Sequence, residues 1–383
     1  MNIGILIIMN NILTDIDTFL NESVRIPGHA AWLIFCGYSI GETATFCALA
    51  AEFTKQHGHE IVIIITPKHQ QVINMYAHRF IKVVVISDDS MRTILRSGYI
   101  PQDRFQIDQA FSPCWIDRGF RESDGLRFLS KYPGRGGISE MDLARMVLHL
   151  PWNAKLEPPT ISTDVEKNAF DFATKHGLRV GRSVLLCPIN NSAPKLPLLF
   201  WNEVARLLSE KGLTVFTNMG GLNQYNGLSS MPIEGTIPVD LPIDWVIPFI
   251  RLAGNIIGGG NGMYSLVALA DNKKFQMTQL IQFSKDAIKS HSSLGFRSPT
   301  HPEIGNEIVS AFQYYAPELC INVNLMEFLI PHDGEEYELM RLARTIVNSD
   351  ITDKSCILRL ESNGKRYISE HHDWLSDLRD CSN

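Results

Sequence analysis

The sequence has no apolar run approaching the ~20 residues a membrane-crossing helix needs. Its opening, MNIGILIIMNN, has no basic flank, and its apolar part is about half the ~15–30 residues of a secretory signal. A buried strand or a packed arm is expected there. No CxxC pair or HExxH motif occurs and no His cluster suggests a metal, so no metal and no cofactor is expected. The cysteines, Cys36, Cys47, Cys114, Cys187, Cys320, Cys356 and Cys381, are seven, an odd number, and scattered. They read as free thiols in a reducing compartment, not as a disulfide frame. Neither sign of charge dominates: 35 basic side chains stand against 41 acidic ones, for a net charge of -6. That excludes the electrostatic footprint of a general nucleic-acid binder. GxGxxG and the Walker GxxxxGK[ST] loop are both missing, which weighs against nicotinamide dehydrogenases and P-loop NTPases. Low-complexity tracts and short-period repeats are absent too. The expected location is the cytoplasm, with peripheral contact at the inner membrane.

What is present is an alternation of strands and helices. At 383 residues the chain is long enough for two domains. Ala31–Cys36 (AWLIFC) and Glu60–Thr66 (EIVIIIT) read as buried parallel strands around a helix with Phe46, Leu49, Ala50 and Phe53 on one face. A helix at about Lys68–Phe80 and a strand at Lys82–Ser87 repeat the unit, and Asp88-Asp89 reads as a turn. Between Arg92 and Leu150 the signal blurs, with a capped helix expected at Ser139–Leu150. Pro151, Pro158 and Pro159 mark a stiff linker. The second half restarts the pattern. Helices are expected at Asp164–His176, Leu198–Lys211, Trp245–Leu252, Met263–Ala270 and Glu335–Asn348. Strands are expected at Ser183–Cys187, Thr214–Asn218 and Asn255–Ile257. The expected domains are 1–157, with an arm at 1–29, and 158–383.

Three loops follow a strand and open a helix, which is where open α/β sheets bind ligands. The first is Gly37-Tyr38-Ser39-Ile40-Gly41-Glu42, whose carboxylate either faces the crevice or complements the helix dipole. The second, Asn190-Asn191-Ser192-Ala193-Pro194-Lys195, offers amide, hydroxyl and ammonium donors to a phosphate. The third, Gly258–Gly262, offers a run of backbone N–H groups for an anion. Asp15-Ile16-Asp17 formally matches a metal-binding DxD, but it reads as the solvated face of an amphipathic helix.

The three stretches together resemble the ADP-heptose:lipopolysaccharide heptosyltransferases, a glycosyltransferase family of GT-B fold. Ser39-Ile40-Gly41-Glu42 stands where that family has Ser-(Leu/Ile)-Gly-Asp. Ser192, Lys195-Leu196-Pro197 and Phe200-Trp201-Asn202-Glu203 follow its second motif, one residue short. Gly260-Asn261-Gly262-Met263-Tyr264-Ser265-Leu266 fills its third. The resemblance covers about two-thirds of the chain. It departs at Glu42, which replaces an aspartate, at Gly260, which replaces another, and at Ser265, which replaces a histidine. ADP-heptose is therefore not implied as the donor.

What the resemblance implies is an α/β fold of two Rossmann-like β/α/β domains facing a central cleft. The first would be the acceptor side and the second the nucleotide-sugar side, with the last helices packing back on the first domain. The implied activity is inverting, metal-independent transfer of a sugar from a nucleotide diphosphate to a glycan or lipid-linked acceptor. Glu42 would be the base. Ser192, Lys195, Gly260, Asn261, Gly262 and Met263 would hold the diphosphate, and Gly220 and Gly221, near the Trp245–Leu252 helix, the nucleotide. Tyr38 and Gly41 would line the acceptor loop, and Arg118, Arg121 and Arg135 either meet an anionic acceptor or are solvated surface arginines. The alternatives are a non-catalytic nucleotide-sugar-binding protein of the same fold and a nucleotide-sugar epimerase.

Overall fold

The computed structural model describes residues 16–37, 39–97, 100, 110–113, 144, 148–151, 154–188, 196–219, 233–259, 262–270, 275–282, 288–289, 294–295, 325–330 and 336–348. These fall into two compact units, one ending at Glu157 and one starting at Pro158.

The first unit is built on strands β1 (Ala31–Cys36), β2 (Glu60–Ile65), β3 (Lys82–Val85) and β4 (Ala110–Phe111). They form one parallel sheet in the order β3-β2-β1-β4. β1 and β2 are buried along almost their whole length, as strands covered on both faces must be. Helix α1 (Ile40–His57) follows β1. Its residues from Gly41 to Ala50 are all buried. Small side chains (Ala44, Ala48, Ala50, Thr43, Thr45) let neighbours close in all round, so the helix is not amphipathic in the usual sense. On one face of the sheet, Leu33, Phe35, Val62 and Ile64 pack with Met91, Ile94 and Leu95 of α3 (Asp88–Arg96) and with Ile16, Leu20 and Val24. Asp17 is exposed beside buried Ile16. That fits a solvated helix face; Asp15 lies outside the described residues.

Two local expectations are corrected. The helix at Lys68–Phe80 is broken into a 3-10 turn (Pro67–His69), a short α2 (Gln70–Asn74) and a second 3-10 turn (Ala77–Arg79). Tertiary contacts override propensity here. Tyr76 is buried and its hydroxyl donates to the Glu157 carbonyl at 3.3 Å, while Arg79 forks onto the Glu157 carboxylate at 2.6 and 2.5 Å. Asp88-Asp89 is not a turn but the first turn of α3. The Ser87 hydroxyl accepts from Ser90 N at 3.0 Å and ends the strand early, and acidic residues suit a helix start.

The second unit contains α4 (Thr163–Lys175), β5 (Ser183–Cys187), α5 (Leu198–Glu210), β6 (Thr214–Asn218), β7 (Ile237–Val239), α6 (Ile243–Ala253), β8 (Gly254–Gly259), α7 (Gly262–Ala268) and β9 (Gln276–Gln282). A small antiparallel pair, β10 (Ile288–Lys289) and β11 (Leu294–Gly295), precedes β12 (Leu325–Ile330) and α8 (Glu336–Asn348). Six strands form a parallel sheet in the order β12-β9-β8-β5-β6-β7. Counted from β5, this is the 3-2-1-4-5-6 order of the doubly wound Rossmann fold, and the first unit's 3-2-1-4 is its beginning. The fold is therefore α/β with two Rossmann-like units. α8 packs on α5 of this same unit, with Ala343, Ile346 and Val347 against the cluster of Phe200, Trp201 and Val204. The tail beyond it, and the helix expected at Ser139–Leu150 apart from residues 144 and 148–150, lie outside the described residues.

Gly258 shows how tightly the centre is packed. It pairs with Cys187 across β5 and β8. An added Cβ would stand 2.6 Å from the Cys187 carbonyl oxygen and 2.8 Å from the Tyr264 ring. That ring cannot yield, because it is buried and its hydroxyl donates to the Thr278 carbonyl at 3.0 Å. Gly258→Ala is expected to lower the unfolding free energy by roughly 1–3 kcal/mol, read from the urea midpoint.

Burial opposes ionisation of Glu157, but hydrogen bonds from Arg79 and His78 outweigh it and hold its carboxyl below the usual range. A depressed carboxyl stabilises the fold above its unfolded value and loses that contribution as pH falls through the folded one. The stability gap between wild type and Glu157→Gln should therefore be full near neutrality and close below about pH 4. Thermal melts across that range check it.

Candidate functional site

In each unit the sheet has one point where the chain reverses its direction of travel across the strands. A crevice opens there at the strands' carboxyl ends. In the first unit the point lies between β1 and β4, with β2 and β3 on β1's other side. The Ser112 hydroxyl, just after β4, donates to the Phe35 carbonyl at 2.9 Å and ties the two strand ends together. At Gly37 an added Cβ would lie 2.2 Å from Met91 Cγ. The backbone here thus runs directly against α3.

Glu42 sits at this point, in the first turn of α1, and is 5% exposed. Its Oε2 accepts from Ser39 N at 3.1 Å, while its own N–H donates to the Ser39 hydroxyl at 3.1 Å. This is a reciprocal capping box. Two of the N–H groups that a helix start leaves unpaired are satisfied by it. The S-x-x-E spacing of Ser39 and Glu42 was the signal for it, and a reading centred on the glycines passes over it. Gly41 is buried beside Glu42, and Tyr38 lies outside the described residues.

In the second unit the reversal falls between β5 and β8. Cys187 and Gly258 are register partners. The stretch that leaves β5 toward Lys195 and the glycines that leave β8 therefore start side by side. Ser192, Lys195, Gly260, Asn261, Gly220 and Gly221 lie outside the described residues, as do Arg118, Arg121 and Arg135. Gly262 and Met263 open α7, half-buried.

Sequence reasoning missed Asn218, the last residue of β6. It is 7% exposed and joins three elements. Its Oδ1 accepts from Leu241 N at 3.4 Å and its Nδ2 donates to Met263 Sδ at 3.5 Å. It also bonds the Cys187 thiol, whose pKa burial raises far above the ordinary value. Cys187 is thus a neutral packing group, not a nucleophile. Its signal was positional: a polar residue ending an apolar strand. Asp244, in the first turn of α6, was also missed. Burial raises its carboxyl pKa against the pull of the N–H groups of Asp244 and Trp245. Its Oδ1 is buried without a partner among the described residues.

Of the second motif, Phe200 and Trp201 are core residues. The Asn202 side chain accepts from Glu234 N at 3.1 Å, and Glu203 is gripped by Arg206 at 2.8 Å. These residues hold α5 in place. Ser265, where the resembling family has histidine, is buried in α7. Among the described residues no group of three or more His, Cys, Asp or Glu could hold a metal. No helix among them is long and apolar enough to cross a membrane.

No family model matches the chain, and no curated protein matches it. Solved structures do. The chain is similar to a family 9 glycosyl transferase from Veillonella parvula DSM 2008, at 12% identity over 87% of this chain and 97% of that one, with a TM-score of 0.49. It is similar to the ADP-heptose lipopolysaccharide heptosyltransferase II of E. coli, at 11% identity over 88% and 99%, with a TM-score of 0.47. It is also similar to the iron-containing dodecameric glycosyltransferase TibC of enterotoxigenic E. coli H10407, at 13% identity over 92% and 79%, with a TM-score of 0.47. These are distant likenesses to solved glycosyltransferase and heptosyltransferase structures.

Glutamine can take glutamate's place in a capping box. Glu42→Gln should melt within about 0.5 kcal/mol of wild type, whereas Ser39→Ala should lose about 1 kcal/mol. Paired chemical denaturation curves measure both.

Proposed function

We propose that the chain is a glycosyltransferase that moves a sugar from a nucleotide-diphosphate donor to a glycan or lipopolysaccharide-type acceptor, with inversion and without a metal. One observation carries the reading. Each of the three motif stretches leaves the sheet at a point of reversal: Ser39–Glu42 directly after β1, and the other two from the paired ends of β5 and β8. Those are the points where a doubly wound sheet binds its ligand.

In the proposed reaction Glu42 takes the proton from an acceptor hydroxyl as that oxygen bonds to the anomeric carbon. The bond from that carbon to the diphosphate oxygen breaks, and the nucleoside diphosphate leaves. Ser192, Lys195 and the N–H groups of Gly260, Asn261, Gly262 and Met263 neutralise the charge growing on it. Gly220 and Gly221 lie against the nucleotide, and Tyr38 and Gly41 line the acceptor loop. The chemistry needs no cofactor. The expected setting is the cytoplasm, with the acceptor presented at a membrane surface.

A second reading has its own observation. Glu42 is buried, with one oxygen committed to Ser39 N, as suits a carboxylate that only caps a helix. The protein would then bind a nucleotide sugar without turning it over. Glu42→Gln separates the two because it keeps the cap. For the enzyme, nucleoside diphosphate release from a donor and acceptor set should fall at least about 100-fold in this variant, while nucleotide still raises the melting temperature. For the binding protein, neither form releases product. In either case Lys195→Ala should weaken nucleoside diphosphate binding by about tenfold or more. Binding indifferent to that change would sink the site assignment.

A further inference from the structure

Strands of a parallel sheet are normally covered on both faces. β3 departs from this. Ile81, Val83 and Val85 alternate onto one face and are 37%, 39% and 43% exposed, whereas Ile63 and Ile65, the register partners of the two valines on β2, are fully buried. β3 is also an edge, with no ladder on its outer side among the described residues. Two other outer strands are blunted against pairing. β7 contains Pro238, which has no N–H to donate, and β4 is two residues long. β3 has neither proline nor a charge on its exposed face. Its lysine, Lys82, turns to the opposite face, where Nζ donates to the Ser23 carbonyl at 3.0 Å.

The ends of the strand carry opposite charges. Lys82 opens it, and the exposed pair Asp88 and Asp89 follows its close. Side by side in parallel, two such strands would set like charges together. Antiparallel, each Lys82 end lies by the other copy's aspartates. A twofold axis normal to the sheet gives that arrangement and keeps the apolar stripes on a common face. With Val84 on the axis, Val83 of one copy stands opposite Val85 of the other, a directly facing pair of β-branched side chains.

We propose that β3 is a self-pairing edge, and that two copies of this chain join there into an antiparallel, twofold dimer with a continuous sheet of eight strands. The occupant is a second copy because the strand complements itself in shape, apolar stripe and charge.

The full chain would be diluted through a concentration series and weighed by light scattering. A short edge buries less than the ~800 Å² per partner of a standard interface, so dimerisation is expected in the micromolar range. V83K/V85K should remain monomeric with an unchanged melting temperature. Phe170→Lys, at an apolar surface position in the other unit, should dimerise like wild type. Amide exchange at residues 82–86 should slow as wild type is concentrated. A wild type monomeric up to about 100 µM overturns the proposal, as does a dimer that V83K/V85K leaves intact. Concentration-dependent protection that appears elsewhere, or edge protection that persists in the monomer because another segment of the chain covers β3, overturns it too.

Discussion

There is no room for a side chain at position 258, and the second unit is organised around that lack of room. Gly258 lies between the Cys187 carbonyl and the Tyr264 ring. Its bareness lets β8 lie flat against β5 while α7 folds back immediately afterwards. Tyr264 is fixed in turn by Thr278 on β9, so one missing Cβ coordinates three adjacent strands and a helix. The pairing of Cys187 with Gly258 then decides where the chain reverses. That reversal brings together the ends from which two chemically loaded stretches depart. Packing and the placement of these two strand ends have one cause here, since a close-packed interior passes a local constraint on to its neighbours.

The elements legible in the sequence were those with one dominant cause. AWLIFC and SVLLC are apolar runs of strand length, TVFTN is rich in β-formers, and all three form strands at those residues. α4 and α5 end beside Gly177 and Gly212, both with positive φ, as glycine stops do. What escaped was decided by distant partners. β7 is three residues with a proline in the middle, tolerable only because it is an outer strand, which local sequence does not reveal. β9 reads QMTQLIQ, too polar to look like an inner strand, yet β8 and β12 flank it. The helix at Lys68–Phe80 failed because Glu157, some eighty residues on, draws Tyr76 and Arg79 into a different arrangement.

The candidate site shows the same division. The strand ends from which its stretches depart could be read, because glycines and polar residues after apolar strands mark the mouth of a doubly wound sheet. Its internal wiring could not. Asn218 matters through Leu241, Met263 and Cys187, which lie 23, 45 and 31 positions away in the chain. Only the sheet order puts them next to its side chain. The exposed valines of β3 are similar. As a run they look like any buried strand, and only the edge position makes them surface.

Glu42 carries the sharpest tension, and its physics allows both roles. A capping carboxylate accepts an N–H group with one of its two oxygens, and each carboxylate oxygen carries two lone pairs. The cap also fixes the side chain in one rotamer. A proton acceptor profits from that, because orientation set in advance lowers the entropy lost on reaching the transition state. An aspartate at this position, one methylene shorter, would reach the same N–H only with a different backbone approach. The glutamate therefore reads as a carboxylate whose longer arm is taken up by the capping box, and not as a looser copy of the aspartate in the resembling motif. On that argument the cap is what a buried base at a helix start would need, and burial alone does not decide against catalysis.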